Sequence, residues 1–170
     1  MKLGLDISTT TVGYALVTET DIHELGFIDL KKHKDLSEKA WHLFNKLCEH
    51  IDLQSVKNII VEDSLSGFMR GRTSQQTIVK LAKFNAVVCF LLEHQLRKKP
   101  ILVNATTARK QLFGKSREKG KTAKDFVKEQ VEKKFNVKDY MKTTRTGLWD
   151  KRNMDALDAL VVAKYLLPHN

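Results

Sequence analysis

The last apolar run of the chain, "NMDALDALVVAKYLL", limits the possible folds more than any other stretch. Met154, Leu157, Leu160, Val161, Val162 and Leu166 cover nearly the whole circumference of a helix. A helix that is apolar all round is a buried one. Asp155 and Asp158 go in with it, about one turn apart on one face. Two like charges there repel, and an unpaired buried carboxylate is costly. The fold must therefore bring a cation to them, and the nearest in sequence are Arg152 and Lys164. A divalent ion is the economical solution: Mg²⁺ or Mn²⁺ on hard oxygen ligands, with water and substrate phosphate completing the shell.

Two further acids sit in apolar elements. "MKLGLDISTTTVGYALV" reads as strand, polar turn, strand, with Leu3, Leu5 and Ile7 on one face and Asp6 on the other. "NIIVED" is an apolar strand that ends in Glu62, and Asp63 beside it points to the opposite face and reads as structural. Each acid alone has an ordinary explanation. Asp6 suits a solvated or Lys-paired strand position, Glu62 a strand end bonded to a loop, and Asp158 a helix surface. A strand Asp, a second strand's Glu and a helical Asp-x-x-Asp together form a far more specific pattern.

Strand patterns cover 2–7, 12–19, 23–30, 56–62 and 100–104. The first helix follows Asp35 and Glu38, which stand at capping-box spacing, and runs to about 51 with Ala40, Trp41, Phe44, Leu47, Cys48 and Ile51 on its apolar face. Helices follow over 74–97, over a short segment capped by Thr106 or Thr107 and ended by Gly114, over "KTAKDFVKEQVEKKF", and at the C-terminal run. Three leading strands suit an antiparallel meander, and strands separated by helices suit parallel crossovers. The predicted fold is α/β: a mixed five-stranded sheet with helices on both faces, in one domain over residues 1–170.

The chain has 30 Lys and Arg against 20 Asp and Glu, a net charge of +10 that suits a polyanionic partner, nucleic acid above all. Cys48 and Cys89 read as buried free thiols, and no Cys pair has zinc spacing. The N-terminus enters a strand directly and no apolar run is long enough for a membrane. The expected setting is the cytoplasm of a bacterial or phage-infected cell.

"GLDISTTTVGYAL", "IIVEDS" and "NMDALDALVVA" resemble, in order and spacing, the three nuclease motifs of the RuvC family of Holliday-junction resolvases, on the RNase H-like fold. The same motifs recur in the split nuclease domain of RNA-guided CRISPR nucleases. The resemblance covers almost the whole chain and is similar to phage-encoded members. It implies Asp6, Glu62, Asp155 and Asp158 as metal ligands and catalytic acids. It extends to "ARKQLFGKSREKGKT", where Lys110 and Lys121 match two basic positions of the family. Ile7 stands where the family has Pro and Ser8 where it has Gly. Leu65 stands nearest a family aromatic, with Phe68 three residues on. These departures bear on junction recognition, not on the metal site.

The implied activity is structure-specific cleavage of four-way junction DNA by paired symmetric nicks. Two Mg²⁺ ions per site, about 4 Å apart and replaceable by Mn²⁺, would support hydrolysis to 5′-phosphate ends. Lys121 would offset charge on the phosphate. Within the basic stretch 109–134, which also holds Arg109 and Lys124, DNA contacts are expected from Lys110, Lys115, Arg117, Lys119 and Lys121. Arg70 and Arg72 are expected to reach the backbone from the Gly-rich loop "SLSGFMRGRTS", with Phe68 and Met69 against unstacked bases. The rival readings are a broader fork and flap nuclease and a non-cleaving junction-binding protein of the same fold. A sugar-kinase reading of "DISTTTVG" needs a second phosphate loop that the chain lacks. A homodimer is expected through the helix over 74–97, whose apolar residues also circle the helix, with Phe84 and Leu91 expected on the exposed face.

Overall fold

In the computed structural model, which describes residues 1–63 and 74–166, the meander comes first: β1 (Lys2–Ile7), β2 (Thr11–Val17) and β3 (Ile22–Asp29). Then come α1 (Leu36–His50), β4 (Asn58–Glu62), α2 (Gln75–Leu96), β5 (Ile101–Val103), α3 (Ala105–Phe113), α4 (Ala123–Lys134) and α5 (Asn153–Ala163). The sheet order is β3-β2-β1-β4-β5. β1, β2 and β3 pair antiparallel, while β1 with β4 and β4 with β5 pair parallel. This is the predicted mixed sheet.

Strand parity divides the core. Leu3, Leu5 and Ile7 of β1 and Ile59 and Val61 of β4 face α1 and α2. Ala15, Val17, Ile60 and Val103 face α3, α4 and α5. Helices thus cover both faces. The burial of α5 is nearly complete, and Leu157, Leu160, Val161 and Val162 are at most 2% exposed. Four such side chains contribute roughly 1.5–3 kcal/mol each, which outweighs the few kcal/mol of one buried carboxyl that takes a proton or a partner. The acids follow the helix into the interior.

Two glycines set how closely α5 lies on the sheet. A Cβ at Gly4 would stand 2.4 Å from the Ala159 carbonyl oxygen, and one at Gly13 only 1.8 Å from that of Asp155. Gly13 pairs directly with Asp6 across β1 and β2. The close approach is therefore made at the level of Asp6.

Local chemistry explains the element ends. The Asp35 carboxylate accepts from the Ser37 and Glu38 amides at the start of α1. Asn104, rather than Thr106 or Thr107, caps α3, because its Oδ1 already accepts from both of their amides at 2.7 and 3.3 Å. Gly114 ends α3 in the left-handed region at φ 76°. The Ser8 hydroxyl holds the β1–β2 turn, accepting from Thr11 N–H at 3.1 Å and donating to its carbonyl at 2.7 Å.

Two sequence expectations fail on helix faces. α1 packs through Ala40, Leu43 and Leu47, so Trp41 and Cys48 face outward and Cys48 is an exposed thiol. The apolar stripe is rotated toward Leu43, which is 1% exposed. On α2, Phe84 and Leu91 are core residues at 0% and 8% exposure, packed with α1 and the sheet. The exposed large apolar residues of that helix are Val79 and Phe90. Among the described residues no helix is long and apolar enough to cross a membrane.

Candidate active site

The four acids meet at one end of the sheet. In the parallel pair, Leu5 aligns with Val61. One residue further, Asp6 and Glu62 stand at the ends of neighbouring strands, with the parity that faces α5. Glu62 is held at its backbone, where Asn85 Nδ2 donates to its carbonyl at 3.4 Å. α5, pressed down over Gly13, brings Asp155 and Asp158 to the same place.

The electrostatics record this convergence. Burial raises the Asp6 carboxyl well above its usual range, and Glu62, Asp158 and Asp155 raise it further. Glu62 is pushed up to about 7 by burial and by Asp158. Burial also raises Asp155 and Asp158, with nearby cations acting against it. Buried like charges behave in this way when each makes its neighbour's ionisation harder.

The cations are chiefly not the two nearest in sequence. Arg152 is committed to Asp150 at 2.6 Å and Asp29 at 2.7 Å, tying the start of α5 to β3. Lys164 donates to the Thr18 and Glu19 carbonyls. The charges that act most on the acids are Arg109 and Lys124, with a smaller effect of Arg152 on Asp155. Arg109 Nη2 donates to Asp158 Oδ1 at 3.1 Å, and its charge also lowers Glu62. Lys124 acts on Asp6, Asp155 and Asp158. Both lie within the basic stretch, but nothing in their spacing distinguishes them from the solvated lysines around them.

Lys121 lies just before the α4 cap Thr122 and is engaged by Glu129 and, at 3.1 Å, by Glu118. Lys115 pairs with Glu118 at 2.6 Å. Lys110, Lys115, Arg117 and Lys119 are exposed. A cleft of about 680 Å³ beside the acids is lined by Glu62, Asp63, Asn104, Thr106, Arg109, Lys110, Ser116 and Arg117. Phe68, Met69, Arg70 and Arg72 lie outside the described residues, as does Leu65.

The donor set suits a hard divalent cation: carboxylate oxygens only, Asp158 buried and the other three half-buried, and mutually repulsive without one. The side chains do not yet form a closed shell. Among the described residues no three carboxylate, imidazole or thiolate groups are arranged to hold one ion. Asp158 instead bonds to Arg109.

Solved structures share this architecture, among them three resolvases. T. thermophilus RuvC in complex with a Holliday junction substrate aligns at a TM-score of 0.60 and 12% identity, over 95% of this chain and 90% of its own. The Thermus thermophilus RuvC structure aligns at 0.59 and 14% identity, over 95% and 91%. The yeast mitochondrial Holliday junction resolvase Ydc2 aligns at 0.65 and 15% identity, over 96% and 75%. The chain has the RuvC-type, RNase H-like fold. No protein-family model and no curated protein matches it. At these identities the shared property is the fold, and the chemistry has to be argued from this chain's own residues.

Proposed function

We propose that this chain is a structure-specific DNA endonuclease that resolves four-way junctions by paired symmetric nicks. One observation carries the reading: four carboxylates from β1, β4 and α5 converge beneath a helix that Gly4 and Gly13 allow to lie directly on the sheet. Their burial and mutual repulsion suit a site for divalent ions, Mg²⁺ or in its place Mn²⁺, two per site. When bound, such ions lower the pKa of an attacking water and offset charge on the phosphate. Asp6, Glu62, Asp155 and Asp158 would hold them. The products would be 5′-phosphate ends.

The chain's own cations have the remaining tasks. Lys110 and Arg117 line the cleft beside Glu62, and Lys115 and Lys119 flank it on the same loop, so all four suit phosphate contacts. Lys121, once released from its two glutamates, and Lys124, whose charge already acts on the acids, suit charge compensation at the phosphate. The net charge of +10 favours a DNA partner of any shape. The junction preference is supported by what the fold neighbours are, resolvases, one of them in complex with a Holliday junction substrate. A homodimer would supply the two symmetric cuts, and the exposed Val79 and Phe90 of α2 support pairing through that helix. The expected setting is the cytoplasm of a bacterial or phage-infected cell.

A cleavage panel tests the reading. Four-way, three-way, forked and linear DNA are incubated with the chain in Mg²⁺, and with Asp6→Asn. The expected result is fast cutting of four-way DNA, slow cutting of linear duplex, and no cutting but retained junction binding by the variant. Equal rates on forked and three-way DNA would favour a broader branched-DNA nuclease. Wild-type cutting by Asp6→Asn would remove Asp6 from the site.

A further inference from the structure

Arg109 is the anomaly of the acid cluster. Its side chain is 16% exposed and the Asp158 side chain 12%, so the pair is largely withdrawn from water. Yet its contact with Asp158 is a single N–H···O bond rather than the two parallel bonds of a strong Arg–carboxylate pair. Its Nε is buried with no hydrogen-bond partner among the described residues. A buried donor left unsatisfied is a cost. The guanidinium is therefore held there by charge rather than by fit.

That charge faces the acids that would hold metal, because Arg109 acts on both Asp158 and Glu62. A divalent ion shared by those two carboxylates would meet a fixed positive charge at close range in a poorly screened site. The guanidinium and the ion compete for the Asp158 carboxylate, whose Oδ1 Arg109 already engages. Arg109 also lines the cleft with Lys110 and Arg117, which gives its guanidinium a place to go where a DNA phosphate can receive it.

We infer that Arg109 is a displaceable internal cation: it holds Asp158 in the metal-free chain, yields it to the divalent ion, and turns to the DNA in the cleft. It is a positioning residue that acts through Asp158. Metal-free, it prevents the acids from repelling one another apart. On DNA, a phosphate that takes the guanidinium removes the competitor, so DNA and metal binding support each other. This inference rests on the metal-site reading above.

The test is Mn²⁺ titration by calorimetry on the full chain, without DNA and without turnover. Arg109→Met removes the charge and keeps most of the side-chain length. It is expected to bind Mn²⁺ about tenfold tighter than wild type or more, whereas a merely structural role would leave affinity unchanged or weaken it. Its thermal midpoint in EDTA is expected to fall below wild type, and saturating Mn²⁺ is expected to close the gap. Arg109→Lys keeps the charge and is expected to bind close to wild type. A gain of equal size in Arg109→Lys would assign the effect to lost packing and overturn the proposal. Wild-type or weaker binding by Arg109→Met would also overturn it, while leaving the metal site intact. The parallel control is Asp6→Asn, expected to lose saturable Mn²⁺ binding; if it binds like wild type, the metal-site reading fails and Arg109 falls with it.

Discussion

Glu62 shows what the acid cluster does to one side chain. Burial and Asp158 push its carboxyl from the ordinary 4.5 up to about 7, against the pull of Arg109. The sign follows from proton counting. Between about 4.5 and about 7 the folded chain keeps a proton that the unfolded chain has released, so metal-free stability falls as pH rises across that window. Asp6, Asp155 and Asp158 are raised as well and act in the same direction. By linkage, the Glu62 shift amounts to on the order of 3 kcal/mol at most. Asp29 and Asp150, lowered chiefly by hydrogen bonds against burial, work oppositely at lower pH. The comparison must therefore be made against Glu62→Gln, which cannot titrate. Urea midpoints in EDTA at about pH 5 and about pH 7.5 are expected to show wild type losing stability relative to the variant. Parallel behaviour of the two proteins would mean that Glu62 is not held among like charges.

At the scale of elements, the site depends on how far α5 can descend onto the sheet. Gly13→Ala puts a methyl group where the Asp155 carbonyl lies, with a backbone contact of 1.8 Å that no rotamer can relieve. α5 must rise or tilt, which costs about 1–3 kcal/mol as overpacking does and draws Asp155 and Asp158 away from Asp6. A urea melt is expected to report the loss, and Mn²⁺ affinity is expected to fall with it; unchanged values for both would mean that α5 is not held at that distance. The sequence already implied much of this arrangement. Alternation in "KLGLDI" and "NIIVE" assigns Asp6 and Glu62 to the face opposite Leu5 and Val61, and an all-apolar last helix requires burial of its aspartates. Its own text could not reveal Gly4 and Gly13, because what forbids a Cβ there is backbone contributed by residues near the other end of the chain. Arg109 and Lys124 were hidden for a related reason: charge periodicity does not say which lysine or arginine of a basic stretch faces inward. The rotation of α1 that exposes Trp41 and Cys48 reflects competition between two possible apolar stripes, which tertiary packing decides.

For the whole molecule, the question the proposed activity raises is how one acid cluster per chain would make two cuts. α1 and α2 occupy the sheet face away from α5, so a partner docked there leaves the cleft beside Glu62 and Arg109 uncovered. That side offers Phe90 at 70% exposure, Val79 at 51% and Trp41 at 48%. Trp41 and Phe90 line one groove between α1 and α2, together with Val87 and Leu91. Large apolar groups are seldom grouped on a surface without a partner. A two-fold dimer would use the same patch twice and match the approximate two-fold symmetry of a four-way junction. Phe90→Asp is the informative variant, because Phe90 is exposed and its change should cost no more than about 0.5 kcal/mol of monomer stability. Phe84→Asp would instead put a charge into the core. Light scattering at micromolar protein is expected to give twice the chain mass for wild type and the single mass for Phe90→Asp. On a four-way junction carried in a supercoiled circle, wild type is expected to yield linear product from two cuts in one encounter. The variant is expected to accumulate nicked circles, because its two cuts come from independent encounters. A wild-type chain that stays monomeric both alone and on junction DNA would rule out the dimer and require the second cut to come from a second, separate binding event.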